Sequence, residues 1–241
     1  ETYKQLRSEI NNKIVKKYFD TSDKINIKYK IEKVPDFLAE NNAGAYYRRS
    51  NIDHSRKGTF FVNTKTADFK FNSYSLALHE GNPGHHYQTS YSNDNGNPLF
   101  ISFYQDETAY VEGWGLYAEF LGREHLLKKN SLKEEEIYDL FGSYNMEMLR
   151  AVRLVVDTGI HYYGWDYNKC YKYMTKYTNL SPKDLENEIY RYSLIPGQAL
   201  AYKIGELKII ETRKKFMKKN NDIKKFHHDI LKYGSCPLWM L

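Results

Sequence analysis

Three of the chain's eight histidines fall within eight residues, His79-Glu80-Gly81-Asn82-Pro83-Gly84-His85-His86. A His-Glu pair on a helix followed by a further His is the local pattern of zinc hydrolases. Two imidazoles hold the ion, and the Glu serves as general base toward a water on it. Zinc lowers the pKa of that water from roughly 15.7 to about 7, which makes hydroxide available at neutral pH. The usual spacing is i, i+4, where the two side chains differ by about 40° and about 6 Å of rise. Here position i+4 is Pro83, which cannot bind a metal. His85 at i+6 points about 120° away on a regular helix, and His86 at i+7 shares the face but sits about 10.5 Å along the axis. The Pro-Gly must therefore reshape the backbone. A two-residue bulge at Asn82–Gly84 would carry His85 to the place where i+4 normally lies, which favours His85 over His86 as the second ligand.

A mononuclear catalytic zinc, one per chain, takes three protein ligands and leaves a position for water. The next helical stretch, expected over 104–124, offers Glu107, Glu112 and Glu119. Glu112 and Glu119 are seven apart and share a face. They sit among Val111, Trp114, Leu116, Ala118, Phe120 and Leu121, where a buried acid needs a partner. Glu112 is the expected third ligand. Glu119 has two readings: it accepts a hydrogen bond from a ligand imidazole, or it pairs at the surface with Arg123 at i+4. Gly113 and Gly115 weaken this helix and admit another helix at close range.

Two further polar sets could serve such a centre. Arg150, Arg153, Asp157 and His161 form one stripe of a long helix. Arg153 suits a substrate carboxylate, and His161 suits the oxyanion or substrate positioning. Asp157 also reads as half of an internal Arg–Asp pair that fixes helix packing. Gln198 and Tyr202, four apart, face one way at the start of another helix. A Tyr hydroxyl beside the metal is a candidate oxyanion donor, although a core Tyr explains the pattern equally well.

The elements that must position these groups are mostly helical. Residues 3–18 form an amphipathic helix in this reading. The alternation of residues 25–31 predicts a strand, with two more at 45–47 and 59–62 and a turn-rich stretch over 53–58. Helices are expected over 73–81, interrupted by Pro83-Gly84, and over 104–124, with a loop at 92–98. A capping box, Ser131-Leu132-Lys133-Glu134, opens the long helix. Its apolar stripe, Ile137, Leu140, Phe141, Tyr144, Met148, Val152 and Val155, predicts the buried face. Ser181-Pro182 caps another helix, Pro196 opens a long one, and 222–233 form the last, closed by Gly234. The fold class is mainly α with a small N-terminal β-sheet (α+β). It is a single catalytic domain over 1–241, with helix and sheet in 1–70 and helices with the metal site in 71–241.

Taken together, several runs in order resemble a known family. They are His79-Glu80-x-x-Pro83-Gly84-His85, the segment Glu112 to Glu119, the segment Arg150 to His161, the segment Pro196 to Gly205, and Gly58 to Thr64. They resemble the bacterial domain-of-unknown-function family 885, which is similar to a gluzincin-like branch of the zinc-peptidase clan with a Glu third ligand. The resemblance runs from about Ala45 onward. It implies that His85, the first His after Pro-Gly, is the ligand and that His86 is a neighbour. The family motif has Ala where Gly115 stands. Family members are about twice this length, so the resemblance covers their C-terminal half. It implies an N-terminal helical half of the same protein as partner, walling the cleft.

The function expected is a zinc-dependent metallopeptidase in which Glu80 activates the water and Tyr202 and His161 stabilise the oxyanion. Arg153 points toward a carboxypeptidase or dipeptidase, while Glu119, Asp157, Gln198 and His86 are neighbouring or substrate-binding groups. A zinc hydrolase acting on a non-peptide amide is a narrower form of the same idea. The alternative is a basic helical binding module with a structural or inactive metal site. Net charge is +6, and residues 203–232 carry all of that excess, nine Lys and Arg213 against four acids. Aromatic interleaving is sparse there and no nucleic-acid motif is present, so the solvated face of amphipathic helices is the favoured reading over nucleic acid. Two cysteines exclude a disulfide scaffold and a Cys-rich zinc module. No stretch is apolar enough for a transmembrane helix. The start, without Met or an apolar signal core, reads as a processed or partial chain and assigns no compartment.

Overall fold

The computed structural model describes residues 1–21, 25–39, 44–53, 55–65, 70–103 and 107–241. The expected turn at 53–58 and the expected helix at 104–124 each lie partly outside these. The amphipathic start is helical but not uniform: α1 (Thr2–Ile10) passes through a π-helical turn, Asn11–Val15, into α2 (Lys16–Tyr18). Ile10, Ile14, Val15 and Tyr18 point into the main core.

The sheet has three short strands, β1 (Lys30–Lys33), β2 (Ala45–Arg48) and β3 (Thr59–Val62), in the order β1-β3-β2. β1 runs parallel to β3, with Lys30 opposite Thr59. β2 runs antiparallel to β3 on its other side, with Ala45 opposite Val62. The central strand is the apolar one, and Phe60 and Phe61 are buried. The alternation over residues 25–31 overstated the first strand. Only its end pairs, because the Asn26 N–H donates to Asp94 and the Asn26 side chain accepts from the Lys28 N–H. The first bond ties the segment to a later helix and the second is a local side-chain turn, so neither N–H enters a ladder. The ladder begins where the Lys30 N–H reaches the Gly58 carbonyl.

The helices are α3 (Ser73–Glu80), α4 (His85–Asp94), α5 (Leu99–Phe103), α6 (Thr108–Leu127), α7 (Glu134–His161), α8 (Tyr167–Tyr177), α9 (Pro182–Leu194), α10 (Gln198–Asn220) and α11 (Ile223–Leu231). α4 runs on into the expected loop at 92–98, and α8 falls where no helix was expected. The capping box of α7 lies two residues later than the sequence suggests. Lys133 is the N-cap, and the Glu136 carboxylate accepts from its N–H at 3.0 Å. Ser181 caps α9 as expected, accepting from the Asp184 N–H at 3.2 Å. α10 starts two residues after Pro196, on Gly197 at φ +79°.

One core gathers Leu78 of α3, Trp114, Tyr117 and Leu121 of α6, Ile209 of α10 and Phe226 of α11. A second gathers Leu149, Val152 and Val156 of α7 with Cys170, Met174, Leu185, Ile189 and Tyr192 of α8 and α9. α7 runs past both, and its orientation corrects the sequence reading. Ile137, Phe141, Tyr144, Met148 and Val155 are 38–54% exposed, whereas Arg150, Arg153 and Asp157 are buried. The helix turns its polar stripe inward because each of those groups meets a partner there, which removes the cost of burying it. Much of the basic C-terminal stretch is paired within the chain, as in Arg213–Glu124, Lys203–Glu206, Lys225–Asp229 and Lys232–Asp229. Among the described residues no helix is long and apolar enough to cross a membrane.

Candidate metal centre

The Pro-Gly segment does not bulge one helix; it ends one and starts another. α3 stops at Glu80, and the Gly81 N–H still reaches the Ala77 carbonyl. After the turn the His86 N–H donates to the Gly81 carbonyl and the Gln88 N–H to the Gly84 carbonyl, so His85 is the first residue of α4. The expected two-residue bulge is corrected in mechanism, while its result holds: His85 arrives beside His79. Gly84 is required for the approach. A Cβ there would lie 1.9 Å from the His79 carbonyl oxygen and 2.3 Å from that of Leu78. The turn is tied to α6 by Trp114, whose indole N–H donates to the Pro83 carbonyl at 2.8 Å.

The two imidazole rings stand 4.7 Å apart at 85°. Glu112 of α6 puts Oε2 3.2 Å from His79 Nε2 and 3.4 Å from His85 Nε2. One ligand atom from each of the three lies within 4.8 Å of the others. A tetrahedral ion with bonds of about 2.0–2.1 Å has ligand–ligand edges of about 3.3 Å. The two N···O separations match that edge, so the donor set fits a zinc ion. His79, His85 and Glu112 are thus brought together as the sequence predicts.

Glu119 pairs with His79 rather than with Arg123, the contact a ligand-orienting carboxylate would make. Its Oε1 lies 2.8 Å from His79 Nδ1 and 3.1 Å from Arg150 Nη2. Arg123 bonds instead to Ser143 and Glu147. Accepting from Nδ1–H leaves the Nε2 lone pair of His79 for an ion. Burial disfavours a charged His79, but hydrogen bonds to Glu112 and Glu119 outweigh it and push this imidazole up to about 10. Burial likewise opposes ionisation of Glu112, yet His85 and His79 hold its carboxyl well below the usual range. Glu119 is lowered too, against burial, by Arg150 and His79. Both carboxylates are therefore ionised as metal coordination requires, and an ion bound at His79 Nε2 would take the place of the proton that this nitrogen shares with Glu112.

The remaining expected residues divide. Glu80, the last residue of α3, lines the same cleft of about 870 Å³ as His79, His85 and Glu112. Tyr202 stacks its ring 6.5 Å from that of His79, and burial keeps its phenol protonated and able to donate. Gln198 lies within 3.5 Å of the Tyr202 hydroxyl. Arg153 lies 4.6 Å over the Tyr202 ring and is bound by Glu188 and the Tyr192 hydroxyl. Asp157 makes no Arg pair. It accepts from the Gly197 N–H at 3.1 and 3.3 Å, which fixes the turn that starts α10. His161 is not at the centre. It is exposed at the end of α7, with Nε2 2.9 Å from the Tyr192 carbonyl oxygen, about 12 Å along the axis from Arg153. His86 points away, its Nδ1 2.8 Å from the Tyr47 hydroxyl, and burial pushes its pKa down to about 4.

Sequence reasoning missed Glu188 and Arg191 of α9, and it placed the strand at 45–47 without its role beside the cleft; all three line it. Glu188 and Arg191 are three apart on a capped helix and read as an ordinary solvated ion pair. The signal that could have found Glu188 is the need of a buried Arg153 for a carboxylate.

The whole chain, residues 1–241, matches the family described as "Bacterial protein of unknown function (DUF885)". No curated protein matches it. Its fold is similar to the crystal structure of "the putative lipoprotein from Colwellia psychrerythraea", at TM-score 0.90 and 30% identity, covering 99% of this chain and 40% of that one. A "putative lipoprotein of unknown function" from Shewanella oneidensis shares the fold at TM-score 0.74 and 22% identity, over 98% of this chain and 42% of that one. The chain thus spans well under half the length of the solved proteins it resembles. With the match extending from end to end, the chain belongs to the bacterial family of unknown function DUF885.

Proposed function

We propose that the chain carries the catalytic centre of a zinc-dependent metallopeptidase of the gluzincin-like kind. The observation that carries this reading is the convergence of His79 Nε2, His85 Nε2 and a Glu112 oxygen on one point of a cleft that Glu80 also lines. Bound there, zinc would supply Lewis acidity to a water and to the substrate carbonyl. The protein's own groups do the rest. Glu80 takes the proton of the attacking water and returns it to the leaving amine. Tyr202 donates its hydroxyl to the carbonyl oxygen as charge develops. Glu119, backed by Arg150, keeps His79 in one tautomer and one orientation. A structural zinc site would need a fourth protein ligand. The two groups the sequence offers for that place are committed elsewhere, His86 to Tyr47 and Glu119 to His79 and Arg150.

The test separates binding from chemistry. Glu80→Gln should retain about one zinc per chain by elemental mass spectrometry and lose at least about 100-fold in peptide hydrolysis. His79→Ala should lose both. Hydrolysis at the wild-type rate by the Glu80 variant would overturn the mechanism.

A further inference from the structure

Where α9 lines the cleft, Arg153 and Arg191 share one carboxylate, Glu188. Arg153 is spent: Nε and Nη2 lie 3.2 and 3.1 Å from Glu188 Oε2, Nε also meets the Tyr192 hydroxyl, and its face covers Tyr202. Arg191, one turn along α9, places Nε and Nη2 3.3 and 3.0 Å from the same Glu188, and Nη1 donates to Gln198 Oε1. Glu188 accepts from the Tyr192 hydroxyl as well. One carboxylate thus faces two permanent cations, and a positive charge is left in excess. The other acid of α9 that lines the cleft, Asp184, is four residues before Glu188 and seven before Arg191, about 10.5 Å along the axis from the latter, and is held by Ser181 at 2.6 Å.

Arg191 is also the accessible member of the pair, its side chain 28% exposed against 10% for Arg153. A guanidinium carries five N–H donors. Three of those of Arg191 have acceptors, and two have none among the described residues. Its link to the metal centre is short: Gln198 joins it to the Tyr202 hydroxyl, and Tyr202 stacks on His79. Two such polar contacts span on the order of 7–10 Å, which two or three residues of extended chain cover at about 3.4 Å each.

We propose that Arg191 anchors a substrate carboxylate two or three residues from the bond cleaved, so that the preferred substrates are short peptides ending in, or carrying, a carboxylate at that distance. The substrate class rests on the peptidase reading; the anion anchor itself does not need turnover. Arg153 is then a positioning residue that fixes Glu188, and through it the Arg191 fork.

Binding is measured by calorimetry in zinc-loaded Glu80→Gln protein, which holds peptide without cleaving it. The probes are tetra-alanine as the free acid, tetra-alanine amide, and an amidated tetrapeptide with Glu at its last position. The free acid should bind about tenfold tighter than the amide or better, the scale of one charge-assisted fork. Arg191→Gln should equalise the two, and Arg191→Lys should retain part of the difference. Tight binding of the amidated Glu peptide would assign the anchor to side-chain carboxylates; weak binding would assign it to the chain terminus. Equal affinity of acid and amide in the Arg191-containing protein, absence of binding by both, or an undiminished preference in a folded Arg191→Gln protein would overturn the proposal. A protein that prefers the acid yet never cleaves it would keep the anchor and sink the peptidase reading.

Discussion

At His79 two carboxylates hold the two nitrogens of a single ring, Glu112 at Nε2 and Glu119 at Nδ1. Only one of them could be a ligand, because an ion held by both imidazoles would lie on the Nε2 side, where Glu112 approaches His79 and His85 together. Glu119→Gln removes the charge that orients the ring while preserving its size. Zinc affinity, measured by competition with a chromophoric chelator, should fall about 10–100-fold. An unchanged affinity would remove Glu119 from the centre. This arrangement was legible in the sequence because helical period alone puts Glu112 and Glu119 on one face, and the local His-Glu pair says what they face. Arg150 was legible only as a member of a polar stripe, since nothing local says which of four polar groups reaches which partner across helices. His161 shows the limit: it continues the stripe in spacing, but the helix carries it about 12 Å beyond Arg153 and out of the cleft.

Elements position these residues through close contacts that tolerate no added atom. α6 carries Glu112 and α10 carries Tyr202, and the two helices meet at Gly113 and Gly205. A Cβ on Gly205 would lie 1.8 Å from the Ala109 carbonyl oxygen, a backbone atom that cannot swing aside. Gly205→Ala must therefore part the helices. It should cost about 1–3 kcal/mol in urea denaturation, the usual scale for overpacking, and weaken activity more than zinc binding, since Tyr202 moves relative to the ligands. A variant of wild-type stability would show that the helices can slide without penalty. Gly113 and Gly115 hinted at such an approach in the sequence, but not at its partners: Gly113 meets Gly205 of α10, whereas Gly115 makes room for the His79 ring of α3. Where the sequence misled, it was through faces. The α7 stripe has a clear helical period, yet the period does not say which side is inward. The side bearing Arg150, Arg153 and Asp157 is buried because Glu119, Glu188 and the Gly197 N–H wait for it.

For the molecule as a whole, charge is placed unevenly, and one consequence is a pH dependence of stability. Asp139 of α7 lies at a small cavity between the N-terminal helix, α6 and α7, with Glu9 and Glu136 beside it. The two lysines lining that cavity are already taken, Lys13 by Glu9 and Lys129 by Glu136. Burial, and then the charges of Glu9, Glu136 and Glu135, raise the Asp139 carboxyl to about 6 from its ordinary 3.8. A folded-state pKa above the unfolded one means that the folded protein holds this proton more tightly. The stability this supplies is complete below about pH 4 and is lost as pH rises through about 6. Asp139→Asn fixes the uncharged form. It should therefore raise stability at pH 7 by about 1 kcal/mol, after allowance for partial solvent screening, or about 2–4 °C in Tm. The gain should shrink toward zero at pH 4, where the native carboxyl is itself protonated. Reading the difference between the two proteins at each pH cancels titrations common to both, including those at the metal centre. A gain independent of pH would mean that the substitution acts through packing, and that the acidic cluster leaves Asp139 unperturbed.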